Sequence, residues 1–579
     1  MVFYPPPWVP KLPFDPPDSI TIGEFMQNEL YGRYPLAKSR NPFTCGLSGK
    51  TYTVTESHKR TDYIARALGK IMGWEPNADL PWDKVVAVFS FNTIDYLSVL
   101  HSIHRLNGIA TPANVAYSAS ELEHQLRSSG AKALFTCIPV LETALKAAEA
   151  VGIPKDKIFI LDLHNHSPKP AFKTVDDLVE LGRSLPDLEP LRWSKGQGAR
   201  QVAFLCYSSG TSGLPKAVMI SHHNVIANTL QYRVFEGVAR RQNGVDTQVV
   251  MGLLPFSHIY GLVVVAHAAT WGGDEVIVLP KFEFTDYLQA IERFKINHVP
   301  VVPPIIVRML SGKDILKRYD LSSIRILFTG AAPLGRETAE ALLKLYPKWK
   351  IGQGYGMTES STVVSSTSEH DICPGTSGSL LPGTRVKVID PDGKEITEYG
   401  KPGELFVQSP SVTLGYLNNE KATSEAFVWD EDGRWLRTGD EVIVTKSDSG
   451  YEHITIVDRL KELIKVKGHQ VAPAELEAHL LTHPYVDDCA VIAVPDDRDG
   501  EVPKAFVVTP ASVASTGKTD AEIAADIVRH VQEHKAHYKW LKGGVEFLDA
   551  IPKSPSGKIL RRLLRDRERE ARKKKGAKL

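Results

Sequence analysis

The 579-residue chain has few cysteines, almost no net charge and no long apolar run, and each shortage removes a class of protein. Cys45, Cys137, Cys206, Cys373 and Cys489 lie far apart, and none forms a CxxC pair. That excludes a disulfide framework or a cysteine zinc site and implies a reducing compartment. No stretch approaches the ~18 consecutive apolar residues of a membrane span. The most lipid-like run, 261–270, is too short and contains His267. With 69 Lys+Arg against 68 Asp+Glu there is no general attraction to phosphate, so no nucleic-acid partner is expected. No G-x-x-x-x-G-K-[ST] spacing occurs, which excludes a P-loop, and no fixed-period repeat is present. The proline-studded first 17 residues lack the basic-then-apolar order of a secretory signal and read as an extended surface arm.

What is present suits a packed interior: 42% hydrophobic, 8% aromatic and 24% charged residues. A single core stops growing at roughly 250–300 residues, so two or more domains are expected. Val85–Phe89 reads as a buried strand. Ile94, Leu97, Leu100, Ile103 and Leu106 then repeat at helical spacing, with Gly108 as the stop. Ser118 followed by Glu121 is a capping box. Further strands are predicted at Ala133–Cys137, Ile158–Leu163, Val202–Tyr207, Val276–Leu279 and Ile324–Phe328. Strands separated by helices imply βαβ units and an α/β class. Near Asp458 the texture turns densely charged, and shorter strands follow at Ala490–Val494 and Ala505–Thr509. The expected division is 1–457 and 458–579, the second of ordinary domain size.

Three loops follow predicted strands. Tyr207-Ser208-Ser209-Gly210-Thr211-Ser212-Gly213-Leu214-Pro215-Lys216 combines hydroxyls, glycines and a lysine. Such a segment is either a surface turn or a cradle in which N–H groups and hydroxyls hold phosphate oxygens. Thr329–Leu334 is lined by small residues that leave space for a flat ring. Gly352–Glu359 supplies an aromatic face, a hydroxyl and a carboxylate.

Together with Leu436–Asp440, Asp458–Gly468 and Pro552–Lys558, the Tyr207–Lys216 and Tyr355–Glu359 segments occur in the order seen in the adenylate-forming superfamily. That superfamily includes acyl-CoA synthetases, carrier-dependent adenylation domains and beetle luciferases. The resemblance runs from about residue 40 to about 565 and is nearest to the 4-coumarate–CoA ligase-like branch. Phe25-Met26 and Tyr31-Gly32-Arg33 further resemble fungal peroxisomal aryl-acid ligases such as phenylacetyl-CoA ligase. It implies a large N-terminal domain of βαβ-type subdomains and a small mobile α/β C-terminal domain. The implied reaction joins a carboxylic acid to ATP, with Mg²⁺, as an acyl-adenylate, and then transfers the acyl group to CoA.

By this resemblance Ser208, Ser209, Gly210, Thr211, Ser212, Gly213 and Lys216 hold phosphates, Thr358 orients them and Glu359 ligates Mg²⁺. Tyr355 stacks on adenine with Ala331, Gln353 and Gly354 around it. Asp440 takes the ribose hydroxyls, Arg459 assists, and Gln470 meets the nucleotide in one state. Lys558 serves adenylation and Lys465 thioester formation, with the hinge at Lys461 and CoA at Lys467 and Gly468. His258 gates and positions the acid. Tyr260, Val264, Phe328, Ala331, Gly354, Thr362 and Val363 form the acyl pocket. Its apolar Phe328 wall favours aryl, arylalkanoic, cinnamic-type or medium-chain acids, and no aspartate in Pro255–Gly261 awaits a substrate ammonium. A luciferase-like oxygenase, a long-chain fatty acyl-CoA synthetase and a non-catalytic acyl- or nucleotide-binding protein are the alternatives.

The final residues Ala577-Lys578-Leu579 resemble the Ser-Lys-Leu address read by the peroxisomal import receptor, with Ala for Ser. A peroxisomal location is implied, or a cytosolic one if the tripeptide is not read. The last 22 residues carry eleven Lys/Arg and three Asp/Glu and read as a solvated tail presenting that signal.

Overall fold

Val85–Phe89 is apolar at every position, so neither face can meet water, and the strand lies in the middle of a sheet. In the computed structural model, which describes residues 1–164, 171–208, 215–467, 469–496, 498–511, 513, 517–554 and 557–576, it pairs in parallel with Ile109–Pro112 and Ala133–Thr136. Val202–Ser208 joins beside Ile109–Pro112 and then turns back antiparallel on Lys216–Ser221. This seven-stranded sheet thus places the Ser/Gly-rich loop at the carboxyl end of a buried parallel strand.

A nine-stranded sheet has a parallel centre, running from Lys350–Met357 through Ile326–Thr329 and His298–Val301 to Val249–Gly252 and Glu275–Val278. One continuous apolar cluster fills the space between these two sheets. An antiparallel six-stranded sheet includes Gly403–Gln408, Gly433–Lys446 and Glu452–Arg459. A five-stranded sheet carries the C-terminal portion around Asp488–Asp496 and Gly500–Val508, with two apolar clusters of its own.

Several expectations change on contact with the fold. The apolar run begun at Gly261 is the π-helix Tyr260–Ala268, buried on all sides, which is why it lacks a polar face. No helix among the described residues is long and apolar enough to cross a membrane. Gly108 does stand at the helix stop, but through its amide, which donates to the Ile103 carbonyl at 2.9 Å while Asn107 takes the positive φ of 59°; a side chain at Gly108 would also meet the Lys84 carbonyl at 2.6 Å. The N-terminal arm is extended but not superficial. Val2–Phe3 pairs with Arg385–Ile389, and Phe3 and Val9 are buried. The basic tail is likewise structured rather than merely solvated. Arg561–Gly576 is helical, with Leu564 buried and Arg561, Arg565 and Arg567 paired to Glu477, Glu462 and Glu546. Alternating charge along a helix had hidden a docked face. Ala577–Leu579 lie outside the described residues.

A chain of buried imidazoles crosses the N-terminal core. His267 Nδ1 donates to the Leu262 carbonyl at 2.7 Å, so its Nε2 accepts from His101 Nε2 at 3.0 Å. His104 donates to the Ala203 carbonyl, and His222 Nδ1 accepts from the Ile22 amide. Burial holds His267 down to about 4 and His104 to about 3, and lowers His101 and His222 as well. These four rings are neutral when folded and take up protons only on unfolding. Stability is therefore full above the ordinary histidine value of about 6.5 and is lost as pH falls below it, at ~1.4 kcal/mol per pH unit for each ring. Calorimetric melting is expected to be flat above pH 7 and to fall steeply between about pH 6.5 and 4. A pH-independent midpoint there would contradict the neutral chain.

Candidate active site

The strand Lys350–Met357 leads into a tight turn, Thr358–Ser360, that buries Glu359. Gly356 is required here, because a Cβ would lie 1.5 Å from the Thr362 carbonyl oxygen. Ser361 and Thr362 follow with φ of 53° and 114°, and Ala331 on the facing loop has φ of 67°. Non-glycine residues held with positive φ are costly and gather at functional sites. The Gln353 amide secures the Ala331 loop by accepting from the Leu334 N–H at 2.8 Å and donating to Ser377 Oγ at 3.1 Å.

These residues line a cleft of about 1690 Å³ that the N-terminal sheets and the C-terminal portion share. Glu359 Oε1 accepts from Ser208 Oγ at 3.0 Å and from the Tyr416 hydroxyl at 2.9 Å. Among the described residues nothing donates to Oε2. A buried carboxylate with one oxygen left open by the described residues fits a hard cation, which takes oxygen ligands. Lys216 stands over the Tyr416 ring, 4.6 Å from its centroid.

Strand register builds a second carboxylate centre. Asp440 lies directly opposite Arg459 in the pairing of Gly433–Lys446 with Glu452–Arg459. Arg459 Nε is 3.4 Å from Oδ1, while the Tyr355 hydroxyl donates to Oδ2 at 2.6 Å. Burial raises the Asp440 carboxyl above the usual range, and Arg459 opposes that rise. Lys558 arrives from the C-terminal portion, its amide bonded to Ser554 Oγ at 3.1 Å. Burial, and then Arg459, bring its ammonium down to about 8, while Asp440 and Glu359 hold it charged. His258 is kept neutral by burial, at about 4, and Lys558 reinforces this. Its Nδ1 accepts from the Tyr260 amide at 3.3 Å, so the proton sits on Nε2.

Of the residues singled out in the sequence, Ser208, Lys216, His258, Tyr260, Phe328, Ala331, Gln353, Gly354, Tyr355, Thr358, Glu359, Thr362, Val363, Asp440, Arg459, Lys461, Lys465 and Lys558 all line this cleft. Three do not. Val264 lies beside a small void with Glu236 and His298, apart from the cleft. Lys467 is turned onto Asp499 at 2.8 Å, and Gln470 lies across the hairpin from Lys465, exposed. Lys465 itself is exposed at the rim, its amide held by Glu501. Ser209, Gly210, Thr211, Ser212, Gly213 and Gly468 lie outside the described residues.

Two features escaped the sequence reading. Tyr416 reaches Glu359 only because Gly415–Tyr416 pairs antiparallel with Lys216–Ser221, a contact that no spacing announces. The helix Pro303–Ser311 contributes Val307, Arg308 and Ser311 to the cleft. Its proline start was visible, but not its place.

The fold is that of adenylate-forming enzymes. It superposes on the anthranilate CoA ligase AuaEII in complex with anthranoyl-AMP with a TM-score of 0.79, at 23% identity, covering 95% of this chain and 97% of that one. It likewise matches ATP-bound MatB from Rhodopseudomonas palustris with a TM-score of 0.75, at 24% identity over 94% and 99% of the two chains. The AMP-binding enzyme family matches residues 37–417, and the AMP-binding enzyme C-terminal domain matches 475–558. The acyl-CoA ligase AFT1-1 of Alternaria alternata is 43% identical over 571 residues, 98% of this chain and 97% of its own. The acyl-CoA ligase easD of Emericella nidulans is 39% identical over 98% of this chain and the whole of its own. The chain belongs to the AMP-binding enzyme family, and within it to the AMP-forming acyl-CoA ligases.

Removing the Tyr416 hydroxyl takes away one of the two donors that Glu359 has among the described residues. A hydrogen bond to a charged group is worth ~1.5–3 kcal/mol. Tyr416→Phe is therefore expected to lower kcat/KM for ATP-dependent pyrophosphate release by about tenfold or more, in a variant that melts somewhat lower but is still folded at the assay temperature. Steady-state kinetics checks this, and wild-type kinetics in the variant would remove Tyr416 from the site.

Proposed function

We propose that this ligase activates an aryl, arylalkanoic, cinnamic-type or medium-chain carboxylic acid in the described cleft and passes the acyl group to CoA. The observation that carries the reading is the convergence of Lys558, Arg459, Asp440 and Glu359 in one cleft, beside an apolar wall of Tyr260, Phe328 and Val363. The Tyr260 hydroxyl is spent on the Phe328 carbonyl at 3.0 Å, and that of Thr362 on the Ile259 carbonyl at 2.9 Å. Neither is free for a phenol or a second carboxylate, which supports an apolar acyl group.

Carboxylate and triphosphate are both anions and meet only where positive charge offsets their repulsion. Lys558 approaches from the C-terminal side as the group placed to neutralise carboxylate and α-phosphate oxygens while the new bond forms. Lys216 and the Ser208 hydroxyl serve the outer phosphates, with Thr358 beside them. Asp440 accepts ribose hydroxyls once the Tyr355 hydroxyl and Arg459 yield its oxygens, and the Tyr355 ring offers a face for adenine. Glu359, through Oε2, would hold Mg²⁺, which when bound neutralises phosphate charge. Neutral His258, with its Nε2 proton fixed, orients the acid without acting as a base, since a carboxylate is ionised at pH 7.

Thioester formation needs a second arrangement. Lys465 stands at the rim, and the chain between Arg459 and Leu463 is the hinge on which the residues after it would turn to bring Lys465 inward. Lys467 and Gly468 then belong to the CoA side. The reading is tested by pyrophosphate release across phenylacetate, cinnamate, coumarate, benzoate and C6 to C16 fatty acids, with and without CoA. One class is expected to release pyrophosphate with matching thioester. Lys558→Ala is expected to abolish adenylation while keeping CoA transfer from supplied acyl-AMP, and Lys465→Ala to do the reverse. Equal loss of both steps in either variant would refute the division between the lysines.

We further propose peroxisomal import through Ala577-Lys578-Leu579. A tagged copy lacking Lys578 and Leu579 is expected to stay cytosolic, and continued import of that copy would refute the assignment.

A further inference from the structure

Four histidines gather in the C-terminal portion, and none of them lines the cleft. His479 belongs to the helix Pro473–Leu480, and His530 and His534 lie one turn apart on Asp520–His534. The i,i+4 spacing puts two imidazoles on one helix face, and packing of the two helices brings up the third. One nitrogen from each of His479, His530 and His534 lies within 4.8 Å of one from each of the others. His479 and His530 stack at 4.3 Å, and His534 stands 5.3 and 5.0 Å from them. His483 lies edge-on to His530 at 5.1 Å.

Hydrogen bonds settle which nitrogen of each ring carries the proton. His534 Nδ1 and His479 Nε2 both face the His530 carbonyl, at 2.8 and 3.3 Å. A carbonyl only accepts, so both nitrogens are protonated. Thr482 Oγ1 donates to the His479 carbonyl at 2.7 Å, and so accepts from His530 Nε2 at 3.0 Å. Nδ1 of His479, Nδ1 of His530 and Nε2 of His534 keep their lone pairs. Imidazoles that bind metals have this form, with the second N–H tied to a carbonyl or hydroxyl.

The surroundings agree. Burial lowers the proton affinity of His479, His483 and His530, which favours the neutral form that a ligand needs. The nearby cations are neutralised, Lys535 by Glu475 and Lys518 by Asp526. Glu533 adds negative charge beside His530.

We propose that His479, His530 and His534 form a binding site for one first-row transition-metal ion such as Zn²⁺, completed by His483 or water. A metal–nitrogen distance of ~2.0–2.1 Å sets ligand nitrogens roughly 3.4 Å apart, so the rings close inward by side-chain rotation. An all-imidazole set selects zinc, nickel or copper and rejects the magnesium that the reaction uses. The ion ties the helix Pro473–Leu480, whose Ala474 amide donates to Asp458 at 3.0 Å beside the hinge, to the helix Asp520–His534.

The test is calorimetric titration of tag-free, full-length protein with ZnCl₂, with the visible absorption of Co²⁺ as an independent reading. One ion per chain is expected, with a raised melting temperature and no saturable heat from MgCl₂. His530→Ala and His534→Ala should each weaken Zn²⁺ binding at least tenfold, while His124→Ala, remote from the cluster, leaves it unchanged. Retained pyrophosphate release in the two cluster variants shows that they are folded. Absence of saturable 1:1 binding, or equal affinity in wild type and both cluster variants, would overturn the proposal.

Discussion

The antiparallel register that sets Asp440 opposite Arg459 is the constraint on which the rest of this molecule depends. It buries a carboxylate whose charge would be unaffordable alone and supplies the guanidinium that offsets it. The same pairing ends the last strand of the N-terminal sheets. The Arg459 carbonyl then accepts the amides of Glu462 and Leu463, and Leu460 is held to the Gly439 carbonyl. One pair of residues therefore both shapes the cleft and starts the segment leading to the C-terminal domain. Any movement of that domain begins within a few ångströms of the charge it serves.

Around that pair the cleft is a set of compromises. Lys558 gives up part of its hydration to lie near Arg459, and is kept there by Asp440 and Glu359. Ala331, Ser361 and Thr362 hold positive φ because Gln353, Ser360 and the surrounding strands fix their neighbours. Such strain persists where packing over-determines the backbone. The two carboxylates sit in different settings. Asp440 has both oxygens engaged, whereas Glu359 is engaged by the described residues through Oε1 alone.

Much of this was legible in the sequence because it is local. The strand Val85–Phe89, the capping box at Ser118 and the strand before the Ser/Gly loop follow from apolar runs and side chains three residues apart. Many of the described residues that the ordered motifs named line one cleft, but Lys467 and Gln470 do not. What the sequence did not disclose depends on pairing between distant segments. Tyr416 joins Glu359 across 57 residues, and Phe3 enters the core against a strand more than 380 residues away. Val264 was assigned to the pocket by the family resemblance, but it lies beside Glu236 and His298 instead. The charged tail misled for a related reason, since Arg561 and Arg565 find their acids on other elements.

The ring of Phe328 lies over Gly352 and Gly354, where any Cβ would approach it to about 3 Å. The neighbouring strand offers no side chain at these points, so on this side the apolar wall is the Phe328 ring alone. The backbone hydrogen bonds of that strand, and the carbonyl that receives the Tyr260 hydroxyl, stay the same whatever stands at 328. In the proposed reading, the side chain at 328 could therefore change the shape of the acyl wall while the backbone that carries the neighbouring nucleotide loops kept its course.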